Sequence, residues 1–466
     1  MKDPKEWAEE TFANAKLNDY RHTERLIKIT TDLAENAGTS IARASSDDAA
    51  VEGAYRFLRN QNIDTHSIAL AGYNSTLEKV KETKLVLSVQ DTTGLAYRHS
   101  VCEQLGSVPS ANKDKPKAKG RSLFVHSTLM LDASNGHTIG LGNQHYWHRE
   151  NKVEGNAQEK KMRDRKEKES FKWQRNLEQL SERYGSLSNV IDVCDREADS
   201  YEYLDYQLTH GHRFVVRANR DRRLSSAESK LSEVFNELEP QAYAYVKIAQ
   251  RGGRKSRNAR VALRYTTMTF KKHKNLTKVS NTLTVNVVQC QEVDTCDNNE
   301  KLCWNLYTSE AINNTADAQR IIQYYEWRWT IEEFHKVWKS DGMLVESLRM
   351  QTKDTLERAA LILAFVATYL YQLRDLAQNN ESAKSVPCTG YLTSMKWKLL
   401  WKAVEKTKPP EQPPSLYWAY YAIAKLGKWY DSKRNGKVGV KAYWTGWLKL
   451  MDMEESFKIF KELELD

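Results

Sequence analysis

Apolar residues recur at helical spacing across residues 1–75, broken only by short polar stretches, so the chain opens with a group of helices. Near residue 84 the period shortens. Residues 85–90 read as a buried strand that ends at Asp91-Thr92-Thr93. Residues 123–131 and 138–147 read as two more strands, joined by a turn at Ser134-Asn135-Gly136. Three consecutive strands with a short turn predict an antiparallel meander. A basic loop bearing proline and glycine, residues 113–121, separates the first two.

A strongly charged helix is predicted from residue 160 to about 184. Residues 189–194 form the next strand, which closes on Asp195, and a helix then runs from Asp195 to about residue 208. Residues 213–217 are again a strand, and a strand–helix–strand unit of this length predicts a parallel pair. Residues 219–309 are rich in Thr, Val and basic residues with two-residue alternation. They predict an inserted β-subdomain with basic loops at 251–260 and 271–278. A helix follows from about residue 315 to Gly342, whose missing side chain suits a C-cap. From residue 354 the chain reads as helical, with one polar, proline-rich break at 408–414. The most apolar run, residues 359–370, is too short to cross a bilayer and reads as a buried helix. The expected division is a helical domain at 1–75, an α/β domain at 76–350 with its insertion at 219–309, and a helical domain at 351–466.

The helix at 315–342 carries the densest chemistry. At ~100° per residue, Tyr325, Arg328, Glu332 and Lys339 share a stripe roughly 60° wide, with Trp327, Ile331, Phe334 and Trp338 opposite. One side anchors the helix; the other offers a phenol, a guanidinium, a carboxylate and an ammonium. A carboxylate can hold a divalent metal, and cations beside it suit phosphate. The plainer alternative is an amphipathic helix with a solvated charged face.

Composition adds a partner. The formal charge of +10 points to a polyanion, although solubility alone can also account for it. Thirteen Trp, several among Lys and Arg, suit phosphate contact with base stacking, while most such rings serve as core. Arg21, Arg25 and Lys28, at i, i+4 and i+7, make a basic helix face that could touch DNA or be ordinary surface charge. Six cysteines form no CxxC pair and no His cluster accompanies them, which argues against zinc and for a reduced chain. The charged N-terminus, with Lys2, Asp3 and Lys5, is no signal peptide.

Asp91 and Asp195 stand at predicted strand ends, where ligands of open α/β sheets gather, and Glu332 projects from the later helix. Three converging carboxylates repel, and a divalent cation removes that cost. Oxygen-only ligands favour Mg²⁺ or Mn²⁺. Two such ions roughly 4 Å apart can activate a water or 3′-OH for phosphodiester displacement. Taken singly, Asp91 reads equally well as a turn residue, and Asp195 reads more readily as an N-cap because a helix follows.

The spacing Tyr325-x2-Arg328-x3-Glu332-x6-Lys339 resembles the signature of the IS-four family of bacterial transposases. Asp91-Thr92-Thr93 is similar to the family's first catalytic aspartate motif, and Cys194-Asp195-Arg196-Glu197-Ala198-Asp199 to its second. The resemblance extends to 52–57, 214–217, Trp304 with Thr308-Ser309-Glu310, and 431–434, nearly the whole chain in order. It implies an RNase H-like (retroviral-integrase-like) catalytic core with a β insertion before the last acid. Asp91, Asp195 and Glu332 match the metal-binding triad, which takes two Mg²⁺ per site, Mn²⁺ substituting. Tyr325, Arg328 and Lys339 match residues holding DNA phosphates, Arg217 a DNA-contacting arginine, and Trp304 a tryptophan associated with a flipped base in a hairpin intermediate. The N-terminal helices would recognise double-stranded transposon ends. The C-terminal helices would pair two subunits as a homodimer, and the protein would be a cytoplasmic bacterial enzyme that joins the nucleoid when bound to DNA. Residues 378–412 and 342–347 depart from the family pattern.

The expected activity is therefore cut-and-paste transposition through a DNA hairpin. A metal-dependent nuclease that cuts without joining, and a DNA-binding regulator that dimerises without catalysis, are the alternatives.

Overall fold

One mixed sheet organises the chain. β1 (Val86–Tyr97), β2 (Arg121–Asp132) and β3 (Thr138–Trp147) form the expected antiparallel meander. β4 (Val190–Cys194) lies parallel to β1, and β5 (Arg213–Arg217) parallel to β4. Four strands follow: β6 (Ala242–Ile248), β7 (Arg257–Lys271), β8 (Thr282–Glu292) and β9 (Cys303–Thr308). These strands of the expected insertion continue the sheet. β9 pairs with β5 over Val215–Arg217, so all nine strands share one sheet in the order β3-β2-β1-β4-β5-β9-β8-β7-β6. The computed structural model describes residues 3–105, 121–149, 168–225, 229–248, 257–293, 301–379, 381–432 and 438–463. The expected basic loop at 113–120, the start of the charged helix at 160–167 and the basic loop at 251–256 lie outside them.

Alternation along each strand feeds two apolar layers. Leu87, Val89, Ile191, Val193 and Val215 enter one core cluster; Val86, Val190, Cys194, Phe214 and Val216 enter the other. The second layer is covered by α6 (Lys172–Tyr184), α7 (Tyr201–Thr209) and α8 (Leu231–Glu237), through Trp173, Leu177, Tyr203, Leu204, Leu231 and Phe235. A strand buried on both faces reads as a nearly continuous apolar run, as β4 does apart from Asp192, which is buried with Gln90 and Tyr203 as donors. α8 was not expected inside the β-rich insertion.

The first layer is covered by α9 (Thr315–Trp327), α10 (Trp329–Lys336) and α11 (Lys353–Asn379). The single helix expected at 315–342 is thus divided. Arg328 separates α9 from α10 while keeping helical dihedrals, and a π turn at Val337–Asp341 ends the element. Gly342 is not a left-handed cap: its φ is −141°, and a Cβ there would come within 2.6 Å of the Val337 carbonyl. α11 is longer than its apolar run implied, and by length and composition it could cross a membrane. It is instead the central core helix, with 89% of its most apolar window buried.

The N-terminal helices α1 (Pro4–Phe12), α2 (Tyr20–Glu35), α3 (Ile41–Ala44), α4 (Asp48–Arg59) and α5 (Thr65–Glu82) pack on α11. Arg358 of α11 donates to the carbonyls of Leu58, Asn60 and Ile63, satisfying the chain where α4 ends. Trp7 stacks on Tyr369 at 4.5 Å. The C-terminal helices are α12 (Ser394–Glu405), α13 (Leu416–Leu426) and α14 (Val440–Leu463).

Candidate active site

The site opens where β1 and β4 part. Their parallel pairing ends at Val89↔Val193. Asp91 and Asp195 each lie two residues further on, so they share the face of Val89 and Val193 that Ile331 and Phe334 of α10 cover. Asp91 is not at a strand end: β1 runs on to Tyr97, because β2 pairs with it through Tyr97↔Arg121. Asp195 does not start the following helix directly. It caps a single 3₁₀ turn (Arg196–Ala198) by accepting from the Glu197 N–H at 2.8 Å, and α7 begins after it. Both the capping role and a place at the site therefore fall to the same residue.

Glu332 completes the cluster from α10. Its Oε1 accepts from Arg328 at 2.7 Å. Arg328 is the cation that all three acids feel: it lowers Asp91 and Asp195, and Glu332 in turn raises Arg328. Burial wins at Asp91, whose carboxyl is pushed up to about 7 despite Arg328, with Asp195 and Glu332 raising it further. Burial also raises Asp195. Among the described residues, no three acidic, His or Cys side chains stand close enough to hold an ion. The donor chemistry still fits a hard divalent cation: Asp91, Asp195 and Glu332 are oxygen ligands, and Arg328 bonds Glu332 and lowers the other two.

The remaining expected residues line up from this point. Arg328 lies over the Tyr325 ring at 5.5 Å, and Tyr325 meets the edge of Trp304 at 5.1 Å. Trp304 and Arg217 flank Leu306 on the same sheet face, Arg217 by pairing with it. Tyr325 and Arg328 are buried, so the stripe is not a solvated charged face. Lys339 reaches β1, donating to the Gly94 carbonyl at 2.6 Å and standing 3.5 Å from Glu346. Arg21, Arg25 and Lys28 stand on α2, and their face is largely neutralised. Arg21 pairs with Asp19 and Lys28 with Asp32, while Arg25 lies against Gly53 of α4.

Several site residues were not expected. His335, one turn from Glu332, sits with Nδ1 3.8 Å from Asp91, and its Nε2 has no hydrogen-bond partner among the described residues. Burial holds this ring down to about 3, hence neutral. Its i+3 spacing from Glu332 was the available signal. Beneath Asp91, His126 bonds Gln90 and Thr92, each at 2.9 Å. Gln90 donates to the buried Asp192, which also accepts from Tyr203 at 2.6 Å.

Comparison with known proteins gives two family matches. Residues 4–63 match the family described as transposase DNA-binding, covering α1 to α4. Residues 143–369 match the transposase DDE domain, a range that holds Asp195 and Glu332 and begins after Asp91. Among solved structures, a piggyBac transposase synaptic complex with hairpin DNA aligns over 100% of this chain and 82% of that one, at 10% identity and a TM-score of 0.37, too loose a likeness to carry weight. With a transposase DNA-binding region leading into a DDE domain built on a mixed α/β sheet, the chain belongs to the DDE transposases, which cut DNA and transfer the strand they free.

Proposed function

We propose that this transposase acts by cut-and-paste through a hairpin intermediate, and that Asp91, Asp195 and Glu332 are its catalytic acids. What supports the reading is that Arg328 bonds Glu332 of α10, while its charge lowers Asp91 of β1 and Asp195 just past β4, the two acids on one face where β1 and β4 part. We place the chain in the IS-four branch, beside the transposase of transposon Tn-five, on the Tyr325–Arg328–Glu332–Lys339 spacing.

Two Mg²⁺ ions, with Mn²⁺ able to substitute, would make a water or 3′-OH nucleophilic and stabilise the leaving oxygen. The three carboxylates would hold them. Neutral His335 would steady Asp91, and the apolar packing of Ile331 and Phe334 would keep the floor dry. Nicking of the transposon end, attack of the freed 3′-OH on the opposite strand, hydrolysis of the hairpin and attack on target DNA are all phosphodiester displacements. One set of acids can serve all four. Tyr325, Arg328 and Lys339 would engage phosphates, Arg217 the DNA near the end, and Trp304 a flipped base beside Tyr325. Residues 1–75, with Arg21, Arg25 and Lys28, would read double-stranded transposon ends; residues 351–466 would pair two subunits.

The test is cleavage. Asp91→Ala and Glu332→Ala should each leave end binding nearly intact and abolish cutting in Mg²⁺. Retained cutting by either variant defeats the assignment. Joining of pre-cut ends to a target plasmid distinguishes a transposase active site from one that only hydrolyses.

A further inference from the structure

Arg328 is only 7% exposed, an unusual place for a guanidinium. A buried guanidinium is tolerated when its donors meet acceptors. Here Nη2 meets Glu332 at 2.7 Å and the plane lies over Tyr325, yet Nε has no hydrogen-bond partner among the described residues. The side chain therefore holds one acid and keeps a covered donor in reserve. The acid it holds is the one that the proposed chemistry requires for a cation.

We propose that Arg328 is a displaceable counter-ion that holds Glu332 in the DNA-free protein and releases it on turning to a DNA phosphate, so that DNA and divalent metal bind cooperatively. The inference rests on the triad reading above. A cation approaching Glu332 while the guanidinium remains would share one carboxylate with another positive group, and the two would repel. A phosphate oxygen pair suits the guanidinium fork and would satisfy Nε, which the carboxylate of Glu332 leaves idle. Moving the fork to phosphate uncovers Glu332 for metal. Because the same exchange serves both ligands, DNA should raise metal affinity by the factor by which metal raises DNA affinity.

Mn²⁺ titration of the full-length, DNA-free protein, read by the electron paramagnetic resonance of free Mn²⁺, tests this without any catalytic readout. Arg328→Gln should bind Mn²⁺ more tightly than wild type, by a factor of about 10 or more, in the range typical of coupled sites. Should that variant not fold, Arg328→Met, whose straight apolar chain fills the buried space, carries the same expectation. Adding Asp91→Ala should abolish the gained site. Equal Mn²⁺ affinity in wild type and the Arg328 variants, with both weakened by Asp91→Ala, would overturn the counter-ion while leaving the triad standing. Mn²⁺ binding indifferent to Asp91→Ala in every background would overturn both.

Discussion

Replacing Asp199 by Asn should destabilise the protein by about 3–5 kcal/mol, the usual cost of leaving one member of a buried ion pair uncompensated. The Asp199 side chain is 0% exposed and Arg222, its partner, 11%. The carboxylate also accepts the backbone N–H groups of Asn219 at 2.7 Å and Arg220 at 2.9 Å. An amide can offer its oxygen to these donors, but its NH₂ must then face Arg222 or a backbone N–H, so at least one contact becomes a donor–donor clash. Removing both charges is different. Asp199→Asn with Arg222→Met leaves no buried charge, and the pair should cost well under the sum of the single changes, with a coupling of about 2 kcal/mol or more. Urea unfolding of the four proteins of this cycle, compared at constant m, gives the coupling directly. The loop so held leaves β5 at Arg217, next to Asp195 at the end of β4, so cleavage should fall with Asp199→Asn and partly return in the double variant. Additive single effects, with a coupling below about 0.5 kcal/mol, would mean that the pair is not the clamp.

Lys339→Ala removes a cation that already has an internal acceptor, the Gly94 carbonyl, so it should cost about 1–2 kcal/mol in urea unfolding and slow cleavage. If Lys339 also reaches phosphate, the salt slope of DNA binding should fall by about one; an unchanged slope would confine it to holding β1. His145 carries a pH dependence remote from the acids. Burial, then the charge of Arg175, holds it down to about 4 from 6.5, and its Nε2 lies 3.0 Å from the Arg175 guanidinium. The folded chain keeps this ring neutral while the unfolded chain protonates it. Stability should therefore fall as pH drops from about 6.5 towards 4, by up to about 3 kcal/mol from this residue. His145→Gln should flatten that part of the acid-unfolding profile, and an unaltered profile would refute the attribution.

Strands were legible where alternation reports burial. Thr138–Trp147 and Arg213–Arg217 have the expected bounds because both are flanked by turn residues and filled with residues that suit a pleated face. β1 was cut short because Asp91-Thr92-Thr93-Gly94 has the composition of a turn. What carries the strand through it is β2, which supplies backbone partners at every position to Tyr97. That partner lies some thirty residues away and leaves no local mark. α8 was missed for a similar reason: seven residues in a β-rich stretch form a helix because Leu231 and Phe235 fill the second core. At the candidate site, motif spacing pointed to Asp91, Asp195 and Glu332. Arg328's burial was not, because a helical wheel sorts residues by polarity and cannot tell a polar face turned to solvent from one turned to a sheet. His335 was hidden in the same way, as a ring among apolar neighbours.

The spacing of Arg328, Glu332, His335 and Lys339 has a physical origin in how α10 lies along β1. Glu332 and His335 are one turn apart, and both are turned to Asp91. Lys339, about one turn further on, meets Thr93 and Gly94, two and three residues further along the strand. A helix climbs ~1.5 Å per residue and a strand ~3.3 Å, so four helical residues advance about 6 Å while three strand residues advance about 10 Å. The long lysine chain closes the remaining gap; glutamate and histidine, nearer the crossing, need no such reach. Arg328, one turn before Glu332, bonds that carboxylate and also lies over Tyr325, whose ring meets Trp304 on β9. The residues at i, i+4, i+7 and i+11 thus run from the inserted strands to the first strand of the sheet. A shift of one residue in α10 would turn Glu332 by ~100° and break every contact in that line together.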